Sequence, residues 1–252
     1  PIVNILQKEE ILFGVSIDGN KFIHDLHRKT INGKDTYNTI IDNVKNIKHN
    51  EFLGCATTLT KDVFDLVDSI KQLSKYFTTL SYKPARNCNE SFDEESLSKW
   101  LCEYDKLVSF LLEKSINNDL DYVKVLLNGE DYLGKFLLRI LLNHRTIIRC
   151  NAGLSRVTLD DDKKVYICPS ASNIEKYCIG DISSLNYDKQ SQIYDLQKDR
   201  SSCMNCSIKY ICGGECLIEK HLSNGNNHLM CKYKKHLVLL SIYFKIIEIS
   251  FE

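Results

Sequence analysis

From Ile11 to Ile17 (ILFGVSI) the chain is a short apolar run rich in branched side chains, ended by Asp18-Gly19-Asn20. A run of that length before a turn signal predicts a buried strand. From Thr36 the period changes. Tyr37, Ile40, Ile41, Val44 and Ile47 recur at helical spacing and predict one apolar helix face. Phe52 to Leu59 (FLGCATTL) returns to strand. Thr60 is expected to cap a second helix, with Asp62 in its first turn and Phe64, Val67, Ile70 and Leu73 inward. Phe77 to Tyr82 is a third strand, stopped by Pro84. Such alternation is the pattern of parallel α/β units. Three strands are too few to close a barrel, so the region reads as half of one.

Residues 93–145 read mainly as helix. Leu97, Leu101, Tyr104, Leu107, Val108, Leu111 and Leu112 form one core stripe, and Tyr132, Phe136, Leu137, Ile140 and Leu141 another. Strands are predicted at Ser155–Leu159 and Val165–Ile167, joined by Asp160-Asp161-Asp162 as a hairpin that presents Cys168 just past its second strand. A last helix runs from about Lys232 to about Ile249, with Lys232–Lys235 as a solvated face.

Hydrophobic residues make up 43% and charged residues 26%, which fits a globular protein with a sizeable core. Lys plus Arg and Asp plus Glu each number 33, so the net charge is zero, which removes the electrostatic case for nucleic acid. The longest apolar run, Leu237 to Phe244, contains Ser241 and falls short of the roughly 20 residues of a membrane span. With no signal peptide at its start, the chain is expected to be cytoplasmic. It opens on Pro1 rather than methionine, which suggests a processed chain or a piece of a longer one. Cytosolic thiols stay reduced, so the 11 cysteines raise the question of metal ligation.

Cys55, Cys88 and Cys102 are scattered, and the other cysteines lie between Cys150 and Cys231. This asymmetry puts a boundary near residue 149 and divides the chain into 1–92, a helical stretch 93–149, and a cysteine-rich 150–252. The densest run is Cys203-x2-Cys206-x5-Cys212-x3-Cys216, followed by Cys231. Soft thiolates at such spacings suit iron–sulfur clusters or zinc, and spacing alone leaves both open. Gly213-Gly214 permits a tight turn that would deliver Cys212 and Cys216 to different sites.

Together with Cys150 and Cys168, this run resembles the SPASM domain, the C-terminal auxiliary-cluster module of radical S-adenosylmethionine peptide-modifying enzymes. The stretch Cys203-Met-Asn-Cys-Ser-Ile-Lys-Tyr-Ile-Cys-Gly-Gly-Glu-Cys216 is close to the family pattern. Gly14-Val-Ser-Ile-Asp-Gly19, then His24-Asp25, Arg28 and Gly33-Lys-Asp-Thr-Tyr37, resembles the family's fourth-strand ribose motif and the loop after it. The resemblance runs from about Ile11 to about Tyr243.

It implies an α/β fold: the second half of a partial (β/α)6 barrel followed by a SPASM domain with a small β-hairpin, helices and two [4Fe–4S] auxiliary clusters. By position, the cluster nearer the barrel would take Cys150, Cys168 and Cys216. The distal one would take Cys203, Cys206, Cys212 and Cys231. Members with a fully ligated near cluster carry a further cysteine six residues after the first; Arg156 stands there, which leaves an open site or Cys178 as fourth ligand. Lys163 replaces the family's glycine five residues before the second cysteine, a departure that bears on the hairpin turn. Ser16 and Asp18 match residues expected beside the ribose of S-adenosylmethionine, and Arg28 one expected to pair with its methionine carboxylate. His24 and His27 are expected in surface or loop roles. The defining Cys-x3-Cys-x2-Cys motif, which would carry a third [4Fe–4S] cluster, is absent.

The implied function is the C-terminal part of a maturase that uses a 5′-deoxyadenosyl radical and auxiliary clusters to modify a ribosomally made, leader-bearing peptide. This chain alone is not expected to be competent. A flavodoxin- or ferredoxin-type reductant is implied, with no nucleic acid and no membrane partner. An open cluster site that binds a substrate cysteine thiolate favours thioether formation, and Pro169 follows Cys168 where sulfatase-maturing members place aspartate, which speaks against sulfatase maturation. The alternative is a non-catalytic iron–sulfur or zinc module for peptide binding or electron transfer. A purely structural zinc-stapled protein is a third reading.

Overall fold

The computed structural model describes residues 2–47, 53–86, 91–128, 131–199, 201–222 and 228–251; Phe52 and Cys88 lie outside the described residues. A short helix α1 (Ile2–Lys8) leads into strand β1 (Phe13–Ser16), then helices α2 (Lys21–His27) and α3 (Tyr37–Lys45). β2 (Leu53–Leu59), α4 (Leu66–Leu73) and β3 (Thr79–Pro84) complete a parallel sheet of order β1-β2-β3. Because side chains alternate along a strand, Leu53, Cys55, Thr57 and Leu59 are buried while Gly54, Ala56 and Thr58 look to the other face. Register continues that open face across the sheet, setting Ser16 beside Ala56 and Ala56 beside Ser81. One side of the sheet is core; the other is a shelf of small residues.

α5 (Glu94–Ile116), α6 (Asp121–Leu127) and α7 (Tyr132–Leu141) follow. α5 starts at a capping box between Asp93 and Ser96 and buries Leu97, Tyr104, Leu107, Val108, Leu111 and Leu112. Its Trp100, fully buried, donates its indole N–H to the Thr60 carbonyl at 2.7 Å. Thr60 does not cap α4 as expected; its hydroxyl accepts the Asp62 N–H at 3.2 Å in a local turn. The cap is Asp65, whose carboxylate accepts the Asp68 N–H, and the helix starts five residues later than Thr60 would allow. α2 was not anticipated: two turns give too little periodicity, although Asn20 caps it through Ile23.

The chain forms two compact units, residues 1–143 with 229–252, and residues 144–228. The division therefore differs from the sequence-based one, since the C-terminal helix falls with the first unit. The second unit holds an antiparallel sheet β4 (Thr158–Leu159), β5 (Lys164–Tyr166), β6 (Cys178–Asp181) and β7 (Ser184–Leu185), in that order. The expected hairpin is half of this sheet. α8 (Tyr187–Lys198), α9 (Lys209–Cys212) and α10 (Leu217–Leu222) follow. Val165, Ile167, Tyr177, Ile179, Ile193 and Ile218 lie at the centre of its core.

α11 (His228–Phe251) closes the chain, and its Tyr233 hydroxyl donates to that of Tyr104 at 2.7 Å. Its lysines are not uniformly solvated. Lys234 is buried, its ammonium 5.7 Å from the centre of the Tyr132 ring, whose π-face favours the charge. Among the described residues no helix is long and apolar enough to cross a membrane.

Candidate functional site

In the first unit, Ser16 ends β1 and lines an open cavity of about 600 Å³ with Arg28, Thr30, Asp35, Thr36 and Thr39. The structure thus brings Ser16 and Arg28 together and gives Asp18 another position. Asp18 is buried. Its carboxylate accepts Arg28 Nε and Nη2 and the Thr58 backbone N–H, the last at 2.7 Å. A planar guanidinium gripped at two nitrogens is fixed in direction, so Asp18 aims Arg28. Gly19 at φ +60 makes the turn possible, since a Cβ there would meet the Phe64 ring at 2.7 Å.

His24 is completely buried, which corrects the surface or loop role expected of it. Its Nδ1 accepts the Asp18 N–H at 3.2 Å, so the ring proton sits on Nε2 and is donated to Thr36 Oγ1 at 3.0 Å. The Thr36 hydroxyl in turn donates a hydrogen bond to the Arg28 carbonyl at 2.7 Å. Burial holds the His24 pKa below its usual value, so the ring is neutral. Burial also works against ionised Asp25, but the Lys21 ammonium and the amides of Tyr37 and Thr36 outweigh it and hold that carboxyl low. His27 contacts Asp62 Oδ2 at 3.0 Å. The His24-Asp25 pair is the staple of the loop that carries Arg28.

In the second unit, Cys150, Cys168 and Cys216 line one cavity of about 60 Å³, with Arg149, Gln197 and Glu215 in its wall. Cys168 precedes a 3-10 turn (Pro169–Ala171), and Cys216 directly precedes α10. Gly213 and Gly214 have φ +81 and +94. A Cβ on Gly213 would lie 2.8 Å from Arg149 Cα, so only glycine lets this loop settle against the backbone beside Cys150. Burial pushes the Cys168 thiol up, the Ser170 amide opposes that, and the neighbouring Cys216 and Cys150 thiols raise it further. Arg149 forms a buried ion pair with Glu219 at 2.8 Å.

Cys203 ends a 3-10 turn, and its carbonyl accepts the Cys206 N–H at 3.0 Å. Cys212 ends α9, its thiol 3.5 Å from the Gly214 carbonyl. Cys203 and Cys216 line a smaller cavity of about 20 Å³. Cys231 stands on α11, in the first unit. Cys178 points elsewhere: it is buried in β6 and donates to the Gly180 carbonyl at 3.3 Å. Backbone pairing ties down Arg156, whose carbonyl accepts the Gly153 N–H at 2.8 Å.

The donor set can be tested against the two metals. A single tetrahedral zinc needs its sulfurs about 3.8 Å apart. Among the described residues, the one trio of Cys, His, Asp or Glu ligand atoms lying within 4.8 Å of one another is Asp160, Asp161 and Asp162, not a thiol set. A cluster in which each thiolate takes a different iron requires wider spacing. Three thiols around one cavity fit a cluster better than one ion. Sequence reasoning missed Gln197 and the Arg149–Glu219 pair; neither has a motif, and Gln197 arrives on the unanticipated α8.

No family model matches the chain. A protein of Clostridium novyi (strain NT) named as a cysteine-type anaerobic sulfatase-maturating enzyme is 24% identical over 242 residues, which cover 90% of this chain and 63% of the relative. The chain thus spans less than two thirds of that relative's length. A solved structure of native anSMEcpe with bound AdoMet and a Kp18Cys peptide matches with a TM-score of 0.73 at 18% identity, covering 98% of this chain and 72% of that one. Native anSMEcpe with bound AdoMet matches with a TM-score of 0.74 at 19% identity, over 98% and 70%. The chain is therefore similar in sequence to an anaerobic sulfatase-maturating enzyme and has the mixed α/β fold seen in anSMEcpe.

Proposed function

We propose that the chain is the C-terminal part of a radical S-adenosylmethionine peptide maturase. On this reading the three-stranded sheet is the second half of a (β/α)6 barrel and the cysteine-rich unit a SPASM domain. One observation supports it most: Cys150, Cys168 and Cys216, far apart in sequence, line one cavity without their ligand atoms all lying within 4.8 Å of one another. Ser16 and Arg28 support it, because parallel sheets bind ligands at the carboxyl ends of their strands. A hydroxyl and an aimed guanidinium there suit a ribose and a carboxylate.

Cys150, Cys168 and Cys216 would hold one auxiliary [4Fe–4S] cluster, and Cys203, Cys206 and Cys212 would contribute to a second. The cofactors supply one-electron chemistry when bound, with a flavodoxin- or ferredoxin-type reductant as electron source. The chain's own part is to orient and to exclude: Asp18 fixes Arg28, and neutral His24 holds the loop through Thr36. The substrate is a peptide that loses electrons. The named relative favours a sulfatase cysteine as target, whereas Pro169 after Cys168 speaks against it and an open cluster site favours a thioether.

Anaerobic purification followed by iron, sulfide and zinc analysis tests the reading. About eight iron and eight sulfide per chain are expected for two clusters; zinc without sulfide overturns it. Mass spectrometry of a cysteine peptide after turnover by the intact enzyme separates the two chemistries, since a thioether keeps its sulfur and loses a pair of hydrogens.

A further inference from the structure

A permanent charge is anchored beside two of the three cysteines. Among the described residues that line their cavity, only Arg149 and Glu215 are charged, and Ile148, Ala152, Ile167 and Ile218 make much of the rest apolar. Arg149 directly precedes Cys150, and its Nη1–H donates to Glu219 Oε2 at 2.8 Å. Glu219 stands on α10, three residues after Cys216. The Cys216 carbonyl accepts the Lys220 N–H at 2.9 Å, so Cys216 closes the first turn of that helix. Side chains three apart on such a turn are neighbours on one face. The ion pair therefore holds the guanidinium near Cys216 as well as Cys150.

Both partners are largely shut off from water, with 14% of the Arg149 side chain and 5% of the Glu219 side chain exposed. Burial works against the Arg149 charge, yet Glu219 and the Cys216 and Cys212 thiols outweigh it and raise its pKa. Glu215 differs: it is partly exposed, and its carboxylate faces the Ser202 hydroxyl at 3.4 Å. Water screens a charge of that kind far more than an enclosed one. Three thiolates around a [4Fe–4S] core leave a net negative charge that grows on reduction. An enclosed cation beside it favours the reduced form, and an enclosed anion favours the oxidised one. Glu219 is thus both anchor and counterweight for Arg149.

Resting on the maturase reading above, we propose that the Arg149–Glu219 pair sets the reduction potential of the cluster held by Cys150, Cys168 and Cys216, with Arg149 raising it and Glu219 lowering it. Both are positioning residues that act through charge on the thiolates and iron, not as ligands. Removing either one leaves the other charge enclosed and uncompensated, so the two losses push the potential in opposite directions.

The test uses the whole protein, reconstituted anaerobically and titrated with dithionite and redox mediators, with electron paramagnetic resonance of the reduced clusters as readout. Wild type without iron and sulfide overturns the maturase reading itself. With clusters present, Arg149→Gln is expected to lower the reduced-to-oxidised ratio of one spectral component about tenfold at a fixed potential, and Glu219→Gln to raise it about tenfold. Arg149→Lys, which keeps the charge, should stay close to wild type, and the double glutamine variant should fall between the single ones. A purely structural role would move both single variants the same way and cost them iron. Should Arg149→Gln fail to hold its clusters, the sign of the Glu219→Gln shift decides. Unchanged ratios in variants that keep their iron overturn the proposal, as do shifts of the same sign in both, a larger shift from Glu215→Gln, or loss of the clusters in every variant.

Discussion

The two units are held together by different means. The first buries large side chains in depth: Trp100, Tyr82, Tyr104, Phe77 and Phe136 are almost wholly enclosed, and its strands reach seven residues. The second has strands of two to four residues. Its core is one cluster, with Cys168 and Cys216 packed at the edge. Backbone conformation substitutes for mass there, since Gly153, Lys163, Asn173, Gly180, Gly213 and Gly214 all have positive φ. Burial specifies the first unit; turns and a donor set specify the second. If the proposed clusters bind there, a small unit with so little core would take much of its stability from them.

The largest expected effect follows from that contrast. On the proposed reading, removing the clusters with an iron chelator, or making Cys168→Ser, should cost the second unit on the order of several kcal/mol. Hydrogen exchange would then show residues 144–228 losing protection while α4 and α5 keep theirs. Equal loss in both units would erase the distinction. The reciprocal experiment is Trp100→Ala, expected to cost the first unit about 3–5 kcal/mol in denaturant unfolding. Trp100 stacks edge-on to Phe64 at 5.0 Å and closes the gap to Thr60. Cluster content should survive wherever the second unit stays folded.

A smaller effect comes from a buried acid of the first unit. Asp131 caps α7 by accepting the Gly134 N–H at 3.0 Å, and it accepts the Tyr82 N–H at 3.1 Å. Burial nevertheless raises its pKa to about 6, against the pull of those amides. The folded state thus holds this proton more tightly than the unfolded chain, with its ordinary value of 3.8. Its contribution to stability is complete below that value and is lost as pH rises through about 6. Wild type should therefore show a falling component of stability between about pH 4 and 6 that Asp131→Asn lacks. Asp131→Ala, which also loses the cap, should cost about 2 kcal/mol. Identical pH profiles for wild type and Asp131→Asn would show that the carboxyl stays ionised.

The same contrast explains what was legible in the sequence. Strand and helix periods located β1, β2, β3, α3, α4 and the stripes of α5 and α7, because an extended core leaves a repeating apolar signature. They failed where local side-chain bonds decide the outcome: the Thr60 hydroxyl closes a turn with the Asp62 N–H, and the cap of α4 is Asp65. In the second unit the cysteine spacing was readable as chemistry. α8, however, has only Ile193 buried and leaves no stripe to find. Gln197 was hidden with it. Asp18 and Arg28 were singled out in the sequence, yet their mutual pairing was not legible there, since it depends on how the loop folds back at Gly19.

Lys163 gives the smallest effect and the most direct test of turn control. It occupies φ +65, a conformation that costs an L-residue roughly 1–2 kcal/mol and glycine almost nothing. The hairpin forms regardless: the Lys163 N–H donates to the Asp160 carbonyl at 3.0 Å, and the Asp160 N–H to the Lys164 carbonyl at 2.9 Å. Glycine would relieve the strain but lose more entropy on folding, so Lys163→Gly should gain about 0.5–1 kcal/mol. Thermal unfolding of the second unit would rise by roughly 2–8 °C on that estimate. The gain should not depend on iron content, because the turn is local and its hydrogen bonds run within Asp160–Lys164. A loss instead would mean that the lysine side chain contributes more than its backbone strain removes, and that this unit is not governed by its turns.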